Sequence, residues 1–484
     1  MKKRQILTAF FLCLFIELIS LECPLLSQER FRKIPPHPKP LAALKLPDIK
    51  STSLSNDLHI SLINQDKLPI ISLKVIIFSG ESSSSQRLPS LATLTARTLS
   101  NGASFLSADE IEERIETIGG AFSVSTYPDY SLLSFAFLDD YFDQALDLLS
   151  GMLLLPTFPG QEIENEKRSL YYELVEKIKD PEFLVKRQLL RLLFRNHHYN
   201  QINYNLDVIR NTAQEDFVSF HDNYYLPNNA HIILAGNLDI ENALRRILYY
   251  FARWKRKELK PSSFPPPQPF AEKKICFIDL PEAEDATIYL GNIIPPPSHP
   301  DIFPLIVMNQ ILGGTTNDRL FMNLRESKGY AYHVFSELEF YKDCSVFLVK
   351  ARVRPDVVYA SLEEIYKEID NISSKKIPSL EVEQAKSYLI GNFPLHIQTL
   401  ENLTSKIAEI KALNLGEEHW SKYNENIMAV NPEAVFETAR KYPLLTPVVV
   451  IAGNSDIIIG QFRGKEDVEV FNERGTSLGS IKMK

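Results

Sequence analysis

Two pairs of side chains are of types that could take part in chemistry. Arg325 and Tyr332 stand seven residues apart. A guanidinium and a phenol both donate hydrogen bonds, and such donors can stabilise a carbonyl oxygen on which negative charge develops. A helix-surface arginine and a core tyrosine are the ordinary alternative. Glu166 and Glu173 lie two helical turns apart in a segment that also holds Glu162, Glu164 and Glu176, so a solvated helix face explains them equally well. Gly313 and Gly314 lack the Lys and Ser/Thr of a phosphate loop and read as a helix-entry turn. No CxxC spacing exists, which excludes a zinc ribbon and a redox motif, and Cys276 and Cys344 flank strand-like runs as two buried free thiols would.

The elements that must position these residues follow from pattern. Ile70 to Phe78 is nearly all apolar and β-branched between Pro69 and Gly80, and so predicts a buried strand. Pro89 to Ser100 and Ala108 to Ile118 predict helices, the second with Asp109 and Glu110 in its first turn and Gly119 beyond its end. Ala121 to Leu138 alternates as two strands would; Tyr141 to Leu154 and Gln161 to Ile178 are longer helical patterns parted by Pro156, Pro159 and Gly160. Phe220 to Asn229 reads as a structural corner before a strand from Ala230. The fold class is therefore α+β, in two homologous units that each pack helices on one face of a mixed or antiparallel sheet.

The duplication is itself legible. Ile233 to Asp239 and Val450 to Asp456 share an Ala-Gly-Asn core at an offset of 217 residues, and Glu162, Glu164 and Lys167 recur as Glu381, Glu383 and Lys386 at an offset of 219. Two agreeing offsets point to one ancestral unit used twice. Proline-rich stretches mark the boundaries: a leader over 23–50, a first unit over 51–254, a linker over 255–272, a second unit over 273–474 and a tail over 475–484.

Residues 1–22 have the layout of an export signal, with Lys2, Lys3 and Arg4 before an apolar run from Ile6 to Ile16 that is too short to span a bilayer. Export to the periplasm or cell envelope is expected. A lipid anchor on Cys23 is disfavoured by Glu22, where a small residue is needed. A net charge of -8, with no concentrated basic segment, argues against a nucleic-acid partner.

Asn56 to Leu58, Ser79-Gly80-Glu81, Asn101-Gly102, Gly119-Gly120 and above all the segment from Gly313 to Tyr332 resemble, in that order, the pitrilysin/insulinase family of zinc peptidases. The resemblance extends from about Asn56 to Arg474 and implies two homologous units closing over a peptide like a clam shell. In active members an inverted His-x-x-Glu-His motif on the first long helix, with a later Glu, holds zinc. Histidines at i and i+4 share a helix face, and the Glu between them takes a proton from zinc-bound water. Counted back from Asn101, that motif falls on Thr93, Leu94, Thr95, Ala96 and Arg97, so Thr93, Ala96 and Arg97 replace both histidines and the base. Glu173, 76 residues beyond Arg97, stands at the third-ligand position, with Glu166 before it. Arg97 is expected to replace the metal and pair with Glu173, because a partly buried carboxylate without its cation is costly.

By the same resemblance Arg325 and Tyr332 contact substrate backbone, and the edge from Ala121 to Tyr127 binds peptide by strand addition, with Ser123 where active members carry Asn. His197 and His198 lie where the family often has a histidine outside the metal shell. The implied function is a non-catalytic subunit. It has no cofactor of its own, pairs as a heterodimer with a homologous zinc-containing peptidase chain, and binds a peptide or unfolded protein. The alternative is a structural or peptide-binding protein without a peptidase partner.

Overall fold

The apolar run from Ile70 forms the strand Ile70–Ile77, buried along nearly its whole length. The computed structural model describes residues 47–482 apart from 66, 86, 203–208, 260–263, 417 and 443. The export signal and most of the leader fall outside the described residues. Among those described, no helix is long and apolar enough to cross a membrane.

The first unit supplies β1 (Lys50–Ser53), β2 (His59–Asn64), β3 (Ile70–Ile77), β4 (Ala121–Thr126), β5 (Ser131–Leu138) and β6 (Ala230–Gly236). They form one sheet in the order β1-β2-β6-β3-β5-β4. The second unit supplies β7 (Lys274–Asp279), β8 (Ala286–Ile294), β9 (Ala331–Phe340), β10 (Ser345–Val353), β11 (Val448–Gly453), β12 (Val468–Phe471) and β13 (Ser477–Ile481), in the order β9-β10-β8-β11-β7-β12-β13. Read from β4 and from β9, five strands correspond one to one, down to the single parallel pairing of β2 with β6 and of β7 with β11. The duplication read from sequence is thus a duplication of topology.

The helices used below are α1 (Leu91–Thr98), α2 (Ala108–Thr117), α3 (Phe142–Leu154), α4 (Gly160–Lys177), α5 (Pro181–Phe194), α6 (Ile302–Gly313), α7 (Ser379–Asn392) and α8 (Leu400–Ala412). One signature of the repeat lies in α4 and α7. Lys167 is buried and donates to Glu164 and to the Thr212 carbonyl, while Lys386 is buried and donates to Glu383 and to the Val430 carbonyl. A buried ammonium must be satisfied, so a matched pair of partners explains why the Glu-x-x-Lys spacing stands in both halves.

Each sheet carries its own unit's helices on one face, as expected. The other face is covered by a helix from the opposite half. Alternate residues of β3, β5 and β6 (Ile76, Leu132, Ile233, Ala235) pack against Leu403, Ile407, Ala408 and Ala412 of α8. Conversely, Leu184, Val185, Leu189 and Phe194 of α5 pack on Tyr289, Val346, Val448 and Val450 of the second sheet. Burial of both faces accounts for the continuous apolar composition of the central strands.

Polar contacts fix the exchange. Lys74 of β3 donates to Ser134 and is ion-paired with Glu401, while the Ser72 and Thr404 hydroxyls meet at 2.9 Å. On the other sheet Lys186 is paired with Glu339 and Tyr289 donates to Glu182. The two units of this chain are therefore joined by exchanged helices within one compact body.

The stretches read as linker and tail make defined contacts. The stretch read as a tail contains β13, which pairs antiparallel with β12 because Gly475 turns the chain back in a left-handed conformation. The linker is docked, since Asn292 bonds both the amide and the carbonyl of Phe270, which is buried. Cys276 and Cys344 are free and buried.

Candidate functional site

Helix α1 carries the positions at which the resemblance places a metal motif. Its N-terminus is held by Glu81, which is nearly fully buried: the Thr93 amide and hydroxyl donate to one carboxylate oxygen and the Ser90 amide to the other. Ser84 caps the Ala92 amide at 3.0 Å. A carboxylate at a helix N-terminus meets unpaired amides and the positive end of the helix dipole. Burial nonetheless pushes the Glu81 carboxyl above its ordinary value, against the hydrogen bonds from Thr93, Ser90 and Ser84. Gly80 makes this loop possible, because a Cβ there would stand 2.0 Å from the Tyr127 carbonyl oxygen. The distance of 12 residues between Glu81 and Thr93 matches no motif, and only the fold brings the two together.

The three positions of α1 therefore have distinct fates. Thr93 is buried and committed to Glu81, Ala96 is sealed in the core, and Arg97 alone reaches the surface. Arg97 Nη2 lies 2.9 Å from Glu173 Oε2, and Lys177 Nζ lies 2.6 Å from Glu173 Oε1. The pairing expected from the sequence is present, and each oxygen of that carboxylate already has a cation. Burial acts to raise the Glu173 carboxyl, but hydrogen bonds from Lys177 and Arg97 outweigh it and hold the group below the usual carboxylate range. Glu166, two turns earlier on α4, accepts from Asn101 Nδ2 at 3.1 Å. The carboxylates of α4 thus clamp the C-terminal end of α1 and the turn beyond it. These residues do not fit a zinc ion: a committed threonine, an alanine and an arginine supply no ligand and no base, and Glu173 is neutralised.

Beside this helix β4 forms the edge of the first sheet, pairing with β5 on one side only among the described residues. Phe122 and Val124 pack inward against the core, so Ser123, on the alternate face, is exposed.

Arg325 and Tyr332 occupy irregular backbone near the corresponding edge of the second sheet. Arg325 sits on a π-helical turn, Met322–Ser327. Asn323 is anchored there by Glu364 and Glu368, and Lys328 by Glu364. The Arg325 guanidinium lies 4.9 Å from the Phe321 ring centroid, and its side chain is 49% exposed. Tyr332 is the extra residue of a β-bulge: Ala331 faces Val353 while His333 faces Arg352, the next residue along. It is 54% exposed. Its hydroxyl has no hydrogen-bond partner among the described residues. Bulges and π-turns re-aim side chains, and both recur at functional sites. No hydrogen bond, ion pair or ring contact among the described residues joins this pair to Arg97 or Glu173, so the two groups are separate features of the chain.

A family model described as Insulinase (Peptidase family M16) matches residues 60–205, and one described as Peptidase M16 inactive domain matches residues 212–389. The uncharacterized zinc protease YmxG of Bacillus subtilis is 25% identical over 397 residues, 81% of this chain and 95% of its own length. The non-peptidase homolog YmxG of Helicobacter pylori is 24% identical over 358 residues, 70% of this chain and 81% of its own. Among solved structures, a peptidase M16 inactive domain from Pseudomonas fluorescens matches with a TM-score of 0.78 at 20% identity, covering 84% of this chain and 98% of that one. A protease from Helicobacter pylori matches with a TM-score of 0.79 at 19% identity, covering 84% and 100%. At these identities the structural matches establish the fold alone.

Proposed function

The chain belongs to the insulinase family, peptidase family M16, and we propose that it acts there as a non-catalytic subunit of a two-chain peptidase. In this reading it pairs with a separate homologous chain that holds zinc and helps to enclose a peptide or unfolded protein. It lends Arg325 and Tyr332 to the partner's active site and works in the periplasm or cell envelope.

The observation that carries the proposal is the contrast between two places. At α1 every position needed for metal has taken on a different role, since Thr93 satisfies Glu81, Ala96 fills the core and Arg97 neutralises Glu173. At the start of β9, by contrast, a guanidinium and a phenol are held out on a π-turn and a bulge. Because each sheet has both faces covered from within the chain, a peptide would be enclosed against a second chain. The free edge of β4, with Ser123 on it, suits strand addition. Arg325 and Tyr332 would donate to the peptide carbonyl as charge develops, a contribution worth about 10²–10³ in rate where one such donor is removed. A purely architectural protein would have no use for these two exposed donors.

Reconstitution tests the proposal. The chain is combined with a homologue from the same cell that carries the intact histidine motif, and hydrolysis of an unstructured peptide is followed. Activity should require both chains and fall by about a hundredfold or more in Arg325→Ala or Tyr332→Phe. Activity of the homologue that is indifferent to this chain would end the proposal.

A further inference from the structure

At the seam between the halves, the segment after α5 meets the turn that joins β9 to β10. His197, His198 and Asp343 each offer a ligand atom there, all within 4.8 Å of one another. Both histidines are only 9% exposed; among the described residues His197 Nε2 has no hydrogen-bond partner, and His198 turns its Nε2 toward Asp343. We propose that His197, His198 and Asp343 form a site for one divalent transition-metal ion of the zinc class, which ties the first half of the chain to the second.

Distances, surroundings and ligand chemistry support the assignment. His198 Nε2 stands 3.9 Å from Asp343 Oδ2, too far for a hydrogen bond. Two ligand atoms about 2.0–2.1 Å from a tetrahedral ion stand about 3.4 Å apart, so this pair is already spread by nearly the width an ion imposes. The widest pair must close further, and Asp343, the most exposed of the three, has room to move. The rings are held in place, with His197 and His198 centroids 4.0 Å apart and Phe264 of the linker 4.3 Å from His198. Burial lowers the pKa of His197 and takes that of His198 down to about 4, so both imidazoles are neutral at pH 7 and keep a lone pair for a metal.

The backbone segments that carry the ligands are braced by a neighbouring carboxylate. Asp129, in the turn between β4 and β5, accepts from the Tyr199 hydroxyl at 2.7 Å and from the Lys342 amide at 2.9 Å. It thereby braces both the histidine segment and the turn that carries Asp343. Two imidazoles and one carboxylate suit zinc, nickel or copper better than magnesium or calcium. The site differs in residues and in place from the positions on α1. Three protein ligands would leave one coordination position for water, and among the described residues both oxygens of the neighbouring Asp129 already accept hydrogen bonds. The ion would be a fastening and would add no hydrolytic activity.

The test uses the full chain, stripped with EDTA, dialysed against zinc chloride and analysed for metal; cobalt(II) substitution reports nitrogen and oxygen ligands by its visible spectrum. One equivalent of zinc should be retained and should raise Tm, with affinity lowered at least about tenfold in both His198→Ala and Asp343→Asn. Asp343→Asn, at a partly exposed position, keeps the test valid if His198→Ala fails to fold. Retention of no zinc by the unaltered chain would overturn the proposal. So would zinc that survives Asp343→Asn unchanged, or zinc lost in Glu173→Gln instead, which would locate it beside α1.

Discussion

Glu401→Ala tests whether the exchanged helices hold the two halves together. Lys74 is 1% exposed, and its ammonium has two partners, Ser134 Oγ and the Glu401 carboxylate on α8. Removing one partner of a fully buried pair costs about 3–5 kcal/mol, because the charge left behind is uncompensated. Glu401 is itself 56% exposed, so water can reach the vacated position and the cost falls to about 2 kcal/mol. Lys74→Met replaces the ammonium with an apolar chain of similar length and should be near neutral, within about 1 kcal/mol. In the Lys74→Met background Glu401→Ala should then cost less than about 0.5 kcal/mol, for a coupling energy of about 1.5 kcal/mol. Urea unfolding followed by circular dichroism, on all four proteins, gives the cycle. A Glu401→Ala cost equal in the two backgrounds would refute the reasoning, because the helix would then be held by its apolar face alone.

Ile407→Ala, which strips a buried side chain from α8, should destabilise by about 2–4 kcal/mol in the same unfolding assay and lower the stability of both halves in one transition. Arg97→Gln should cost under about 1 kcal/mol, since the pair with Glu173 is partly exposed; the Glu173 carboxyl should titrate upward by NMR, and an unchanged titration would show that Lys177 alone sets it. His231, beneath α8 and bonded to Ser61, has its pKa pushed down to about 3 by burial and by Lys411. A depressed histidine contributes stability that is complete above its unfolded pKa of about 6.5 and is lost as pH falls toward 3, about 2 kcal/mol of it by pH 5. His231→Gln should flatten that slope, measured as unfolding free energy at pH 7 and pH 5. Arg325→Ala and Tyr332→Phe, on exposed side chains, should leave stability within about 0.5 kcal/mol while removing assistance to a partner.

Local pattern carried much of this fold. β-branched runs gave the central strands, Gly119 and the prolines gave helix limits, and a pair of offsets gave the repeat that the topology and the buried Lys167 and Lys386 share. The family resemblance, which sets Arg97 and Glu173 at two metal-holding positions, anticipated their contact, and the helices that carry them run side by side. Exchange of α5 and α8 between the halves was not legible, since the apolar stripe of a helix says that it is covered and not by which sheet. The role of Glu81 was not legible, because its partners, the Ser90 and Thr93 amides and the Thr93 hydroxyl, are brought to it only by the fold. The π-turn under Arg325 and the bulge at Tyr332 depend on tertiary anchoring by Glu364 and Glu368 and on strand register, neither of which is a local property. The linker reads as proline-rich and the tail as a short end, yet Phe270 is pinned by Asn292 and Arg191 bonds the Gly475 carbonyl, contacts set at long range.

The most direct measurement is hydrolysis of an unstructured peptide by the purified chain, supplied with zinc, alone and then with the histidine-bearing homologue. The expected result is no cleavage by the chain alone, with or without bound metal, and chelator-sensitive cleavage once both chains are present. Chelator-sensitive cleavage by this chain alone would contradict the account.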